Sequence, residues 1–168
     1  NEIAQSMACC KTTPANYWMH TNMLTVNGTN MSKSLNNAFL PHELFAGSHP
    51  LLEQAYSPMT VRFFFLQAHY SSTVDFSNDA LQAAEKGYKR LMNALKALHE
   101  LTHAGNETAA NSNEDKAILQ LLDDCYERMN DDFNTPQTIA VLFELASKIN
   151  AYHNKQANLS DISKATFD

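Results

Sequence analysis

Leu81, Ala84, Tyr88, Leu91, Leu95, Leu98 and Leu101 recur every three or four positions. That period places them on one face of a single helix running from about Asp79 to Leu101. A stripe this long must be covered by another apolar face. Two further stretches offer one. Ile118, Leu121, Leu122, Cys125 and Met129 align between Glu114 and Asn130. Ile139, Leu142, Phe143, Ala146 and Ile149 align between Gln137 and about Asn154. Three amphipathic segments in succession bury their stripes against one another, which predicts an antiparallel helical bundle over 78–168. Residues Leu159 to Asp168 are expected to begin another helix.

The bundle is punctuated by helix-end signals. Ser77 or Asn78 suits the N-cap of the first helix. In Asp131-Asp132-Phe133-Asn134-Thr135-Pro136, Asn134 or Thr135 caps the third helix and Pro136 enters its first turn. This is a better reading of the paired acids than a metal site. His103 to Asn113 is polar and is expected to be a mobile loop. Lys86, Lys89, Arg90 and Lys96 lie off the apolar stripe and read as a solvated face, with contact to a nucleic-acid backbone as the alternative. With four glycines and five prolines in 168 residues, the composition favours helices over a many-turned β fold. The net charge of −6 excludes a general nucleic-acid binder. Most charge sits in the helical part: residues 1–77 hold three basic and four acidic groups, residues 78–168 nine and fourteen.

The first 77 residues read differently. Asn1 to about Cys10 resembles the tail of a helix, so a piece of a longer chain is expected. Thr12 to Asn16 is a turn. Tyr17 to Val26 is rich in aromatic and β-branched residues and predicts a buried strand. His20 within it is either a hydrogen-bonded core histidine or a functional one. Asn27-Gly28 is a tight-turn signal, because both residues tolerate positive φ. The loop that follows, to Asn37, carries Ser32 and Ser34 on either side of Lys33. Two hydroxyls and one ammonium on a mobile turn suit a polyphosphate whose charge grows during reaction. Everything beyond this loop is expected to be helical. Pro41 opens a short helix to about Ala46, which Gly47 breaks. Leu51 to Tyr56 is another short helix or a surface insertion. Pro58 opens an apolar helix from Met59 to His69, in which Arg62 is expected to form a structural ion pair. Cys9, Cys10 and Cys125 show neither ligand nor disulfide spacing and read as reduced cytosolic thiols. No apolar run is long enough to span a membrane.

Four motifs in fixed order carry a resemblance: Asn-Glu-Ile-Ala-Gln-Ser from Asn1, Tyr-Trp-Met-His from Tyr17, Met-Ser-Lys-Ser from Met31, and Asp-Asp-Phe-Asn-Thr-Pro from Asp131. Together they resemble the cysteinyl-tRNA synthetases, a class I family. The third resembles the family's Lys-Met-Ser-Lys-Ser signature, with Asn30 in place of the first lysine and Asn36 in place of a following glycine. Asparagine enters the left-handed region readily enough to stand in for that glycine. The implied fold is mostly α: the C-terminal piece of an α/β, Rossmann-like nucleotide-binding domain (1–40), a connector (41–77) that touches the inner corner of tRNA, and the helical bundle (78–168). The implied activity is ATP-dependent activation of cysteine, with magnesium accompanying ATP, and transfer to tRNA in the cytoplasm. DNA and membranes are not implied partners.

The resemblance also implies roles. Lys33 would be catalytic, holding the ATP phosphates with Ser32, Ser34 and Met31 as pyrophosphate leaves. Met23 and Leu24 would offer backbone groups to adenine, and His20 would face the amino-acid pocket. Glu2 would be one of four zinc ligands, the histidine and two cysteines lying upstream. A soft substrate thiolate on that zinc would explain rejection of serine. Cys9 and Cys10 do not match the missing positions, so no tightly bound zinc is expected in this chain. His69-Tyr70 matches a family dipeptide, but Ser71 follows where arginine is usual. The other ATP motif, of His-x-Gly-His type, is absent. The chain alone is therefore expected to be inactive and to pack against a missing N-terminal half. The alternatives are a non-catalytic helical module that binds tRNA or acts as a scaffold, and a related ligase joining cysteine to a small amine.

Overall fold

The computed structural model describes residues 1–103 and 112–168; the expected polar loop falls on 104–111, outside the described residues. Helix α1 spans Glu2–Cys10 and buries none of its residues. Strands β1 (Leu24–Val26) and β2 (Thr29–Asn30) form a hairpin across Asn27-Gly28, with φ of 49° and 76° at the two turn residues. These are the positive-φ pair that a two-residue turn of matching twist requires. Helices α2 (Pro41–Ala46) and α3 (Pro58–Leu66) follow, then β3 (Val74–Phe76), and the long helices α4 (Asn78–Glu100), α5 (Asn113–Asn130) and α6 (Thr135–His153). A 3₁₀ turn at Leu159–Asp161 and a short α7 (Lys164–Phe167) complete the described elements.

Three expectations for the first half need correction. The strand predicted over Tyr17–Val26 is only three residues long, because a strand exists only where a ladder partner stands beside it. Residues 17–21 have none among the described elements, and Tyr17 is 91% exposed. The chain beyond the signature loop is not all helix. It contains β3, which sequence reading missed and which pairs parallel with β1 in the register Leu24–Val74, Thr25–Asp75 and Val26–Phe76; β2, inside the loop, pairs antiparallel with β1. The sheet order is β2-β1-β3. Finally, α3 stops at Leu66 rather than His69; Leu51–Tyr56, expected as a helix or a surface insertion, is a non-helical and largely exposed segment. Asn78 straps that segment to the start of α4: its Oδ1 accepts from Glu53 N–H at 3.1 Å, and its Nδ2 donates to the Leu51 carbonyl at 2.9 Å. Gly47 ends α2 at φ 64°, and a Cβ there would sit 2.6 Å from the Ala55 nitrogen.

One core joins the sheet to the helices. Val26, Leu44, Tyr56, Val61, Phe63, Phe64, Phe76, Leu81, Ala84 and Ile139 form a single buried cluster. Phe76 is its hub, with ring centroids 4.8, 5.5 and 5.6 Å from those of Phe64, Phe39 and Phe65. In the bundle α6 packs on both α4 and α5, and α4 also carries α3. Ser57, Ser77, Ser112 and Asn134 cap α3, α4, α5 and α6 through their side-chain oxygens. The predicted stripes hold with shifts. Leu95, Leu122 and Leu142 are exposed, while Ala94, Ala97 and Val141 are buried. A straight helix drifts against any fixed spacing, so small neighbours take the close contacts further along.

Two ion-paired or aromatic links tie the bundle together. Arg90 stacks 5.2 Å over the Phe143 ring and donates to Ser147 Oγ at 3.2 Å. Glu114 Oε1 accepts from Lys148 Nζ at 2.7 Å and from Tyr152 Oη at 3.0 Å. The Lys148 bond, helped by Tyr152, holds the Glu114 carboxyl below its ordinary 4.5 despite partial burial.

Replacing Phe76 with Ala should cost about 3–5 kcal/mol, read as a shift in urea denaturation, because it empties the centre of the aromatic cluster. The lowered Glu114 carboxyl means that the folded state binds fewer protons there than the unfolded one. Its contribution is therefore whole above the ordinary carboxylate range and is lost as pH falls through the folded value. Lys148→Met should shrink the difference in urea midpoint between about pH 6 and about pH 3.

Candidate functional site

The loop from Met31 to Asn36 is pinned at both ends and open at its tip. At the entry, the Met31 amide donates to the Leu24 carbonyl at 3.2 Å, and the half-buried Met31 side chain packs on the core. At the exit, the buried side chain of Asn37 does two things. Its Oδ1 accepts from the Ser32 amide at 2.8 Å, and its Nδ2 donates to the Asn30 carbonyl at 3.1 Å. Asn37 is only 7% exposed, so those bonds are shielded from water. Between the pins, Asn36 takes φ 54° and donates to the Lys33 carbonyl at 3.2 Å. Asparagine tolerates this left-handed angle better than a β-branched residue. The Ser32 and Ser34 hydroxyls lie 3.3 Å apart, and Ser32 Oγ also accepts from the Leu35 amide at 3.3 Å. Lys33 is exposed and takes part in none of the ion pairs among the described residues. The arrangement presents one ammonium and two hydroxyls on a pinned scaffold.

Across the hairpin, Asp75 on β3 accepts from Thr25 Oγ1 at 2.6 Å and from the Gly28 amide at 2.8 Å. The Thr25 hydroxyl and then the Gly28 N–H hold its carboxyl below the ordinary carboxylate value. Sequence reading missed both Asp75 and the pinning role of Asn37. The one available signal for Asp75 was the alternation Val74-Asp75-Phe76, in which an acid stands on the face opposite a buried aromatic.

A cavity of about 830 Å³ opens on the other side of β1. Met19, Thr21, Asn22 and Leu24 form one wall, Val61, Arg62, Phe65 and Leu66 of α3 another, and Tyr70 and Phe133 also line it. Of the two residues expected at adenine, Leu24 lines this cavity, whereas the Met23 side chain is 58% exposed. Their carbonyls already accept sheet bonds, Met23 from Val74 N–H and Leu24 from Met31 N–H, both at 3.2 Å. Arg62 is exposed, lines the cavity and forms no ion pair among the described residues, which corrects the structural pairing expected for it. Its neighbours on α3 are apolar and offer no carboxylate. His20 is exposed and stacks on Trp18 at 6.4 Å, so it is not a core histidine.

The residue expected as a zinc ligand lies elsewhere. Glu2 sits on α1 with its side chain 75% exposed, 3.5 Å from the amino group of Asn1. Cys9 and Cys10 are exposed thiols at the far end of the same helix. Among the described residues no three His, Cys, Asp or Glu side chains converge as a metal site. A lone carboxylate does not make a zinc centre, so this donor set does not fit the ion.

Beyond the cavity a clasp joins the turn after α3 to the corner between α5 and α6. Tyr70 Oη donates to Asp132 Oδ1 at 2.6 Å, and His69 Nε2 lies 3.0 Å from the Asp132 carbonyl. The bond to Asp132 pushes the Tyr70 hydroxyl above its ordinary value. Asp132 and Phe133 both stand at φ 53°, making the sharp corner between α5 and α6. On α4, Lys89 pairs with Glu85 at 2.9 Å and Arg90 is spent on α6, so only part of the predicted basic face is free of internal partners.

The chain matches two family descriptions: the tRNA synthetases class I (C) catalytic domain over residues 1–86, and the DALR domain over residues 124–167. It is 52% identical to the cysteine–tRNA ligase of Cytophaga hutchinsonii over 99% of its own length and 34% of that protein. It is 53% identical to the cysteine–tRNA ligase of Bacteroides thetaiotaomicron over 95% of the chain and 31% of that protein. For the Bacteroides fragilis cysteine–tRNA ligase the figures are 56%, 89% and 29%. The chain thus spans about a third of the length of the curated relatives it matches.

Asn37→Ala should free the Ser32 amide. The expected result is faster hydrogen exchange there and a stability loss of about 1–2 kcal/mol by denaturant titration. Asn37→Asp keeps the acceptor and should protect that amide better than Asn37→Ala does.

Proposed function

The chain belongs to the class I (C) tRNA synthetase catalytic-domain family, and from that membership we propose that it forms part of a cysteine–tRNA ligase that activates cysteine with ATP and passes it to tRNA. The observation that carries the reading is Lys33: an exposed ammonium, unpaired among the described ion pairs, between Ser32 and Ser34 on a loop held at both ends. In the first step the carboxylate of cysteine attacks the α-phosphorus of ATP. The bond from that phosphorus to the bridging oxygen breaks, and pyrophosphate departs with the released charge. Lys33 and the flanking hydroxyls would meet that charge where it develops, which lowers the barrier rather than tightening the ground state. ATP would arrive as its magnesium complex. Zinc would belong to the full-length protein, since the described residues of this chain do not form its site.

In this reading residues 1–40 carry the catalytic remnant, 41–77 the connector and 78–168 the tRNA-side bundle. Leu24 and Met23 lie beside the adenine position, and His20 turns toward the amino acid once the rest of the nucleotide fold is in place. Lys86 and Lys96, exposed on α4, are the better candidates for tRNA phosphates, because Arg90 is committed to Phe143. A cytoplasmic setting goes with this function and with the free thiols of Cys9, Cys10 and Cys125. Among the described residues no helix is long and apolar enough to cross a membrane.

The test is cysteine-dependent ATP–pyrophosphate exchange by the full-length protein. Lys33→Ala should lower kcat by about 100-fold or more with little change in KM for cysteine. An inactive wild type, or a Lys33→Ala enzyme within about threefold of it, would overturn the assignment. The 168-residue chain by itself should show no exchange.

A further inference from the structure

Asp75 stands 47 residues beyond Gly28 and outside the signature loop, yet the loop's entry turn is built on it. The parallel register sets Asp75 opposite Thr25 on the exposed face of the sheet, while Phe76 beside it is buried. A single carboxylate oxygen takes both the Thr25 hydroxyl and the Gly28 amide. The preceding amide, Asn27 N–H, donates to the Phe76 carbonyl at 3.1 Å. Two successive turn amides are therefore held by two successive residues of β3. Packing does not hold this turn, because nothing lies within 4 Å of where a Cβ on Gly28 would sit. β2 adds only a two-residue ladder, and both of its residues are exposed. A hairpin that short is marginal on its own. The bonds to β3 act directly on Asn27 and Gly28 and add to the short β1–β2 ladder in holding their left-handed conformations.

We propose that Asp75 is a positioning residue for Lys33, fixing the turn and so setting, through β2, where the loop presents its ammonium. The proposal rests on reading that loop as the ATP-phosphate site. Asp75 touches no substrate in this scheme. It makes the loop's resting geometry close to the one needed when pyrophosphate charge develops, so its loss should appear in kcat. The lowered carboxyl of Asp75 agrees with a carboxylate that accepts two bonds.

The full-length protein is compared with Asp75→Ala, Asp75→Asn and Thr25→Val. Asp75→Asn retains an oxygen that can accept both bonds; Thr25→Val removes one donor while keeping the strand's shape. Cysteine-dependent ATP–pyrophosphate exchange should fall about tenfold in kcat for Asp75→Ala, with KM for cysteine unchanged. Asp75→Asn should stay within about threefold of wild type, and Thr25→Val should fall between the two. Hydrogen exchange across residues 24–31, followed by mass spectrometry, should quicken in the same order. A wild-type kcat in Asp75→Ala, or equal impairment of the alanine and asparagine variants, overturns the proposal. So does unchanged exchange across the turn. If Lys33→Ala impairs the enzyme while Asp75→Ala does not, only the positioning role fails. If the wild type lacks the activity, the phosphate-site reading fails and the positioning role falls with it.

Discussion

The parallel pairing of β1 with β3 is the constraint on which the molecule depends. β1 has three residues and β2 two, and a hairpin of that size does not persist unaided. The third strand supplies the missing ladder and, through Phe76, buries the sheet in the aromatic cluster with Phe39, Phe64 and Phe65. Its next residue, Ser77, caps α4. Three consecutive residues thus serve three levels of structure: Asp75 holds the turn, Phe76 fills the core and Ser77 starts the longest helix. No flexible joint separates β3 from α4, because Ser77 alone lies between them.

That continuity explains what could be read from the sequence. Helix stripes, serine and asparagine caps, the Asn27-Gly28 turn and the left-handed Asn36 are local, and each depends on residues within four positions of one another. They were legible. β3 was not, because three residues carry almost no periodicity, and its reason for being extended lies about fifty positions earlier at β1. The same lack of a partner shortened the strand expected from Tyr17. Arg62 was misread because an apolar helix suggested burial and hence an ion pair, whereas it faces the cavity. At the site, Lys33 with its two serines was visible as a motif. Asp75 and Asn37 were not, since a side chain that grips a distant backbone amide leaves no spacing rule behind.

The clasp at Asp132 works by the same logic at the other end. Residues 131–134 read correctly as a helix start, with Asn134 the cap. Yet the two left-handed residues before the cap do more than end α5. They turn the Asp132 carboxylate and carbonyl toward Tyr70 and His69, closing the connector onto the bundle beside the wall of the cavity that contains Phe133.

In the phosphate role proposed for Lys33, charge makes the positioning of the loop matter. Residues 1–77 contain only three cations, Lys11, Lys33 and Arg62. Where the related signature has two lysines, this one has Asn30 and Lys33, and Asn30 is committed to β2, with its carbonyl taken by Asn37. A single ammonium on a solvated loop interacts with a phosphate oxygen through a high effective dielectric, so its effect falls quickly as it strays from contact distance. Two cations could share that burden over a range of loop positions; one cannot. A loop with one cation gains more from a fixed geometry than from added charge, and the pins at Asn37 and on β3 supply that geometry from outside the motif itself.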